Sequence, residues 1–468
     1  MTQQQTVSTP SGTHKYDNPP GFKPIRMMEV EIGQALPAIS AVNPENGKRY
    51  EKAVVLVRLY TQPIGLVELD FGPDGLSAPE YAQHIWLHLH NEINTHLRKN
   101  GFAEVMTLDA NGLPATAVPP TLIARERFLA NAPAVTVIVP TRERPDTLGP
   151  TLETLAKLDY PNYEVLVVDN APSTSDTEDL VKSRFEPTGK IRYLREDRPG
   201  VEWARNRGLL EVKGNFVAFT DDDVLVDKHW LTEMIMAFDT IDSVGCVTGV
   251  TIPAELEAPS QLWFEQYGGF NKGFELKVYD MRQHRTPEFL YPYVAGKFGS
   301  GVNMAFRTEV IRALGGTDPA LGTGSPSRGG GDIAAYLQVV TKGLRLVYTP
   351  GGLIHHYHRK TYEKLRKQMY NYGVGFSASL TKCLVDDPRL ILDFATKIPY
   401  GLFVLLYPKS SKHKKKHVDF PKELTYLELW GMVYGPIAFV RGRLRVQELQ
   451  RRYGKLDVRT ASTLARGT

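Results

Sequence analysis

Phe216-Val-Ala-Phe-Thr-Asp-Asp-Asp223 joins a short apolar run to three consecutive carboxylates. A β-prone run of that length predicts a buried strand, and open α/β sheets hold their ligands beyond the carboxyl ends of such strands. Three adjacent ionised acids repel one another, so a hard cation across Asp221 and Asp223 is the natural compensation, and such an ion also takes phosphate oxygens. A metal-bound diphosphate is the ligand these residues imply. They equally allow an acidic cap on the helix expected over Asp227 to Phe238, and on this stretch alone both readings stand.

Upstream, the same pattern repeats. Val135-Thr-Val-Ile-Val-Pro140 predicts a strand, followed by a turn, Thr141-Arg-Glu-Arg-Pro145, and a helix with Leu148, Leu152, Leu155 and Leu158 on one face. Tyr163-Glu-Val-Leu-Val-Val-Asp169 is a second strand ending in an acid, with a helix expected near Thr177 to Phe185. Ile191-Arg-Tyr-Leu194 is a third, before a helix from Val201 to Leu210 that carries Arg205 and Asn206. Strands alternating with helices predict an α/β fold built on a doubly wound, mostly parallel sheet. A dinucleotide-binding domain shares that alternation, but no Gly-x-Gly-x-x-Gly turn follows the first strand.

Downstream, Phe298-Gly-Ser-Gly-Val-Asn-Met-Ala-Phe-Arg307 reads as a glycine turn leading into a strand. The glycine-rich segment from Gly315 ends in Gly329-Gly-Gly-Asp-Ile333, ahead of a helix expected over Ala334 to Thr341. Glycines allow close backbone approach and a mobile loop. Leu344 to Tyr348 predicts one strand and Leu353-Ile-His-His-Tyr-His-Arg359 another, whose histidines are either structural or complete a metal site beside the acids.

Outside this block, residues 1–25 are polar and aperiodic and predict a disordered leader. Residues 26–130 predict a small α+β module: a hairpin from Ala53 to Phe71 around Thr61-Gln-Pro-Ile-Gly65, then an amphipathic helix over Tyr81 to Leu97. Its His84, His88, His90 and His96 are expected at solvated positions. Residues 361–468 predict a helical, basic tail in which Leu402 to Tyr407 and Leu427 to Val440 flank Lys409, Lys412, Lys414, Lys415 and Lys416. Apolar and aromatic residues beside a lysine run suit an anionic membrane surface, and the competing reading is a packed helix with a solvated lysine loop.

The 468 residues, 42% of them hydrophobic, allow two or three domains with a sizeable core; the net charge is only +4. Two distant cysteines, Cys246 and Cys383, in no metal-ligand spacing, indicate neither a disulfide scaffold nor a zinc site and fit a reducing compartment. With no apolar stretch long enough to span a bilayer and no secretory h-region, the expected location is cytoplasmic, at the inner face of the membrane.

In order along the chain, these motifs resemble the family-2 glycosyltransferases of GT-A fold over residues 135 to about 360, a bacterial type with an extra N-terminal module. Val137-Ile-Val-Pro-Thr-Arg-Glu143 is similar to the family's opening strand and nucleotide-contacting turn, and Val167-Val-Asp-Asn170 to the strand whose acid faces the base. Ala204-Arg-Asn-Arg-Gly208 is similar to the helix beside the nucleotide, Thr220-Asp-Asp-Asp223 to the metal-binding motif, and Gly299 to Arg307 to the acceptor-side turn, with Gly301 and Asn303 at the acceptor. Gly331-Asp332 stands where the family places its catalytic base. The family often has an acidic pair there, so Asp332 is the base and the role of a second acid is open.

The resemblance implies sugar transfer from a nucleotide-diphosphate donor to a glycan or lipid-linked acceptor, with Mn²⁺ or Mg²⁺ on Asp221, Asp223 and His356. A single base opposite the leaving group implies inversion. Pro140, Thr141, Arg142, Glu143, Asp169 and Asn206 would surround the base and ribose, with Asp221, Asp222 and Arg198 or Arg205 near the phosphates, unless those arginines are ordinary ion pairs. No nucleic-acid polymer is among the implied partners. Nucleotidyl transfer to a sugar phosphate would need a Gly-rich, basic loop after the first strand, which is absent. A catalytically silent sugar-nucleotide binder is the remaining alternative.

Overall fold

The computed structural model describes residues 16–459, except 408, 414, 415, 417 and 418. Most of the expected leader, and Lys414 and Lys415, therefore lie outside the described residues. The end of that leader is packed: the Tyr16 ring meets Trp263 at 5.6 Å and Tyr362 at 4.6 Å.

An N-terminal unit contains β1 (Ile25–Glu31), β2 (Lys52–Leu59), β3 (Gln62–Asp70), α1 (Ala78–Lys99) and α2 (Pro120–Leu129). The sheet order is β1-β2-β3, with β1 parallel and β3 antiparallel to β2. Tyr60 and Thr61, both at positive φ, make the hairpin turn, and the Glu31 carboxylate accepts from both of their N–H groups (3.0 and 2.8 Å). Burial of Tyr81, Ile85, Leu89, Ile93 and Leu97 seats α1 on this sheet. His84, His88 and His90 are exposed, but His96 is not: it is only 9% exposed, and burial pushes it down to about 4. The unit docks through Arg58 on Asp227 at 2.7 Å, the same guanidinium being held within the unit by Glu29 at 2.7 Å, and through Arg125 on Glu233 at 2.8 Å.

The main sheet then begins. Its first half is β4 (Val135–Thr141), α3 (Pro145–Leu155), β5 (Tyr163–Asn170), α4 (Asp176–Leu180), β6 (Ile191–Glu196), α5 (Val201–Glu211) and β7 (Phe216–Thr220). Its second half is β8 (Val224–Val226), α6 (Trp230–Met236), β9 (Val244–Pro253), α7 (Pro259–Tyr267), β10 (Lys277–Tyr279), β11 (Asn303–Arg307), α8 (Thr308–Ala313), α9 (Gly331–Thr341) and β12 (Arg345–His356). The strand order is β10-β12-β9-β11-β7-β4-β5-β6, with β8 on β12. Strands β7, β4, β5 and β6 are mutually parallel, and antiparallel β11 joins them to the parallel pair β9 and β12. Apolar clusters cover both faces, which is why these strands read as continuous apolar runs.

Two expectations change here. The strands foreseen at 344–348 and 353–359 are one strand, β12, because Pro350-Gly351-Gly352 form an irregularity in its pairing rather than a break. The triple acid is not a helix cap either: β8 stands between it and α6, and Asp227 Oδ1 takes the His229 N–H at 2.8 Å.

The C-terminal region is α10 (Tyr362–Asp386), α11 (Leu390–Leu406) and α12 (Lys422–Tyr453). No helix among the described residues is long and apolar enough to cross a membrane. The lysine run is partly turned inward. Lys412 bonds the buried Glu428 at 2.6 Å; Lys416 lies over the Phe420 ring, and burial lowers its ammonium to about 8.

Candidate active site

Strands β4, β5 and β7 end side by side, and β8 brings β12 to the same rim. The register sets His356 opposite Val224, one residue beyond Asp223, and the Tyr357 N–H bonds the Asp223 carbonyl at 3.0 Å. The tripeptide expected at the strand end and the histidine expected beside it therefore meet: His356 Nε2 is 3.3 Å from Asp223 Oδ1.

The three carboxylates are matched by three guanidinium groups. Arg144 donates to Asp222 at 2.6 Å and to Asp223 at 2.8 Å, Arg359 lies 3.4 Å from Asp223, and Arg205 lies 3.3 Å from Asp221. Guanidinium groups thus offset these three adjacent acids, beside the cation expected there from the sequence. Asp222 is braced further by the Thr141 hydroxyl at 2.7 Å. Burial pushes the Asp222 carboxyl up. At Asp223 burial acts the same way, but His356, Arg144 and Arg359 outweigh it and hold that carboxyl well below its usual range. Asp221 is the open member of the three, its side chain 32% exposed.

A histidine relay stands behind Asp223. His358 Nε2 is 2.8 Å from Glu265 Oε1, and His358 Nδ1 is 3.0 Å from His356 Nδ1. A carboxylate only accepts, so His358 carries its proton on Nε2 and accepts at Nδ1. His356 then donates from Nδ1, and when neutral it turns an Nε2 lone pair toward Asp223. Two electron-rich atoms 3.3 Å apart call for a cation between them: a proton on the imidazole, or a metal ion, whose adjacent ligands stand about 3 Å apart. The pair thus fits a divalent cation, although among the described residues no three His, Cys, Asp or Glu side chains converge on one ion position.

Of the residues expected to surround a nucleotide, Pro140 is buried, Arg142 and Glu143 are exposed, and Glu143, at φ +51°, accepts the Ser173 N–H at 2.8 Å. Asp169 is fully buried with Oδ2 on the Tyr193 hydroxyl at 3.1 Å and Oδ1 unpartnered; burial pushes it up to about 6. Arg198 is held by Glu196 at 2.9 Å and lies over Trp203. Asn206 bonds both the carbonyl (2.7 Å) and the N–H (2.9 Å) of Thr317 and so fixes the start of the glycine-rich loop.

Of the residues expected at the acceptor and as base, a Cβ at Gly301 would lie 2.8 Å from both the Cβ and Oδ2 of Asp332, so the Asp332 side chain packs flat on this glycine. Asp332 sits in the first turn of α9, not on the mobile loop foreseen for it, because the helix starts within the glycine run. Asn303 corrects a second expectation. It is fully buried, accepts from Trp230 Nε1 at 2.8 Å and donates to the Val250 and Gly352 carbonyls at 2.9 and 2.7 Å, so its amide serves the sheet and reaches no acceptor. The residues not foreseen are Arg144, Glu202, Glu265 and Arg359. Arg144 stood in the Thr141 to Pro145 turn, where an arginine reads as solvated until its partners 78 residues away are placed.

Residues 136–315 match the family model described as glycosyl transferase family 2. The chain is 31% identical over 97 residues to glycosyltransferase GlyA of Streptococcus pneumoniae (21% of this chain, 14% of that protein). It is 26% identical over 259 residues to O-antigen biosynthesis protein RfbC of Myxococcus xanthus (51% of this chain, 18% of that protein). It thus spans less than a fifth of either relative. Among solved structures, a mannosyltransferase of Pyrobaculum calidifontis in complex with GDP-Man and Mn²⁺ overlaps 74% of this chain and 84% of its own, at 18% identity and a TM-score of 0.39.

Proposed function

We propose that this protein is an inverting, metal-dependent glycosyltransferase of polysaccharide, glycolipid or related glycan synthesis. The observation that carries the reading is Arg205, whose Nη2 touches both Asp221 Oδ1 (3.3 Å) and the carbonyl of Gly301 (3.2 Å), the glycine on which Asp332 packs. One buried guanidinium thus ties the diphosphate end of the site to its basic end. Asp223 and His356, with Asp221 beside them, would hold Mn²⁺ or Mg²⁺, which supplies charge neutralisation for the leaving diphosphate. Thr141 and Arg144 fix Asp222 and Asp223, Asp169 accepts from the nucleotide base, and Arg142 and Glu143 border the ribose. Asp332 takes the proton from the acceptor hydroxyl, opposite the leaving group, and displacement from that side inverts the anomeric carbon.

The acceptor is proposed to be a glycan or a lipid-linked chain reached from an anionic membrane surface at the cytoplasmic face. The support is the outward side of α11 and α12, which exposes Leu392, Phe403, Leu406, Trp430, Val433 and Ile437.

A thermal-shift screen of nucleoside diphosphates with and without Mn²⁺, followed by transfer assays with the matching nucleotide sugars, tests the reading. A metal-dependent rise in melting temperature with one nucleotide is expected; no shift with any of them would sink it. Asp332→Asn is expected to keep the shift and lose transfer by roughly 10² to 10⁴-fold.

A further inference from the structure

Gly331, the first residue of α9, has no side chain beside Asp332, and the space is already taken. A Cβ there would overlap Glu202 Oε1 and lie 2.6 Å from the Glu202 Cδ. The carboxylate of Glu202 comes from α5, 129 positions earlier in the chain, and is 1% exposed. Its charge is poorly paid for. The guanidinium nearest to it, Arg205, lies at 3.3 and 3.5 Å, long for charge-assisted bonds, and is shared with Asp221 and the Gly301 carbonyl. Burial pushes the Glu202 carboxyl up, Arg205 and a hydrogen bond from the Thr317 side chain oppose this, and the charge of Asp332 adds to it. A buried carboxylate so weakly paired is a cost to folding that an apolar side chain would avoid.

We propose that Glu202 is a positioning residue of the transfer step: its carboxylate, standing in the space of a residue-331 side chain, holds Arg205 between Asp221 and the Gly301 carbonyl and so fixes the surface on which Asp332 rests. The proposal rests on the glycosyl-transfer reading, with Asp332 as base. Loss of Glu202 loosens Arg205 at both of its contacts, but the diphosphate end keeps Asp223 with His356 and Arg144, whereas Asp332 loses the surface it packs on, so the base is disturbed more than the nucleotide. The carboxylate is also transferable. A glutamate at 331 in place of Glu202 reaches the same space from the other wall, and acidic residues are favoured in the first turn of a helix.

The test compares Glu202→Gln, Glu202→Ala, and Glu202→Ala combined with either Gly331→Glu or Gly331→Gln, each by calorimetry with the nucleoside diphosphate and Mn²⁺ and by steady-state transfer. Expected are diphosphate affinities close to wild type throughout, a kcat lowered on the order of 10 to 100-fold in both single variants, and recovery with glutamate at 331 but not with glutamine. Wild-type kcat in Glu202→Gln overturns the proposal, as does equal recovery with glutamine, which makes the role one of shape. Loss of diphosphate binding together with kcat also overturns it. A fully active Asp332→Asn removes the base assignment instead, and a wild-type protein that transfers no sugar sinks the glycosyl-transfer reading and this proposal with it.

Discussion

Asp169 shows how burial sets chemistry at one residue. Its carboxyl is pushed up to about 6, so in the free protein it gains its proton as the pH falls through that value. A protonated carboxyl is a poor acceptor for a base N–H, so nucleotide affinity is expected to fall below pH 6 beyond what the diphosphate's own titration causes. Asp169→Asn should bind more weakly at pH 7.5 and lose that extra dependence, as calorimetry across pH would read. Parallel pH profiles for both proteins would remove Asp169 from the base pocket. The folding sign is the reverse: a raised carboxyl pKa stabilises the fold at low pH, and that contribution is lost as the pH rises through about 6.

His356 belongs to the same scale. If it holds the ion with Asp223, His356→Ala raises the Mn²⁺ concentration needed for half-maximal activity, and Glu265→Gln does so more weakly, because glutamine can leave His358 in the wrong tautomer. Asp223→Ala should abolish Mn²⁺-dependent diphosphate binding. Unchanged metal dependence in His356→Ala would assign the ion to the carboxylates alone.

Among elements, what could be foreseen followed the range of the forces involved. Strands β4, β5 and β7 are apolar on both faces, so their positions, and the acids beyond their ends, were legible from local pattern. Asp332 in a helix was not, because Gly329-Gly-Gly331 hides a helix start. Asn303 was placed at the acceptor by resemblance alone, and no local signal announces its real partners, Trp230 and the carbonyls of Val250 and Gly352. The inward turn of Lys412 depends on Glu428, sixteen residues on and in another element. The crossing of α10 and α12 was equally hidden, since it is made by glycines rather than by an apolar stripe. A Cβ at Gly431 would overlap the Tyr370 carbonyl and lie 2.8 Å from the Val374 nitrogen. Backbone cannot swing aside as a side chain can, so Gly431→Val is expected to cost roughly 1–3 kcal/mol or more. Thermal unfolding should show a melting temperature several degrees lower; an unchanged value would mean that the helices separate freely.

For the whole molecule, the C-terminal helices pose a question of solvent. In α11 the one buried side chain is Lys397, held by Asp393 and lying over the Phe289 ring, while Leu392 is 80% exposed and Leu406 62%. In α12, Tyr426, Trp430, Val433, Ile437, Val440 and Leu444 are all exposed, at alternating spacings of four and three residues. Such faces cost stability in water and are explained by an apolar partner. A membrane interface suits them, with aromatic rings at headgroup depth and Lys409, Arg441 and Arg443 exposed for the anionic lipid. With Lys412 and Lys416 engaged inside, the apolar face carries most of the binding, and salt should weaken it only modestly. Four substitutions together, Phe403→Ser, Leu406→Ser, Trp430→Ser and Ile437→Ser, remove contacts worth up to roughly 1.5–3 kcal/mol each when fully buried. They should lower partition onto phosphatidylserine-containing vesicles at least tenfold and leave the melting temperature intact. In the wild-type protein, Trp430 fluorescence should shift to the blue on vesicles. Equal partition of both proteins would end the membrane reading, and a wild-type dimer that the substitutions dissolve would assign the same face to a second copy of the chain.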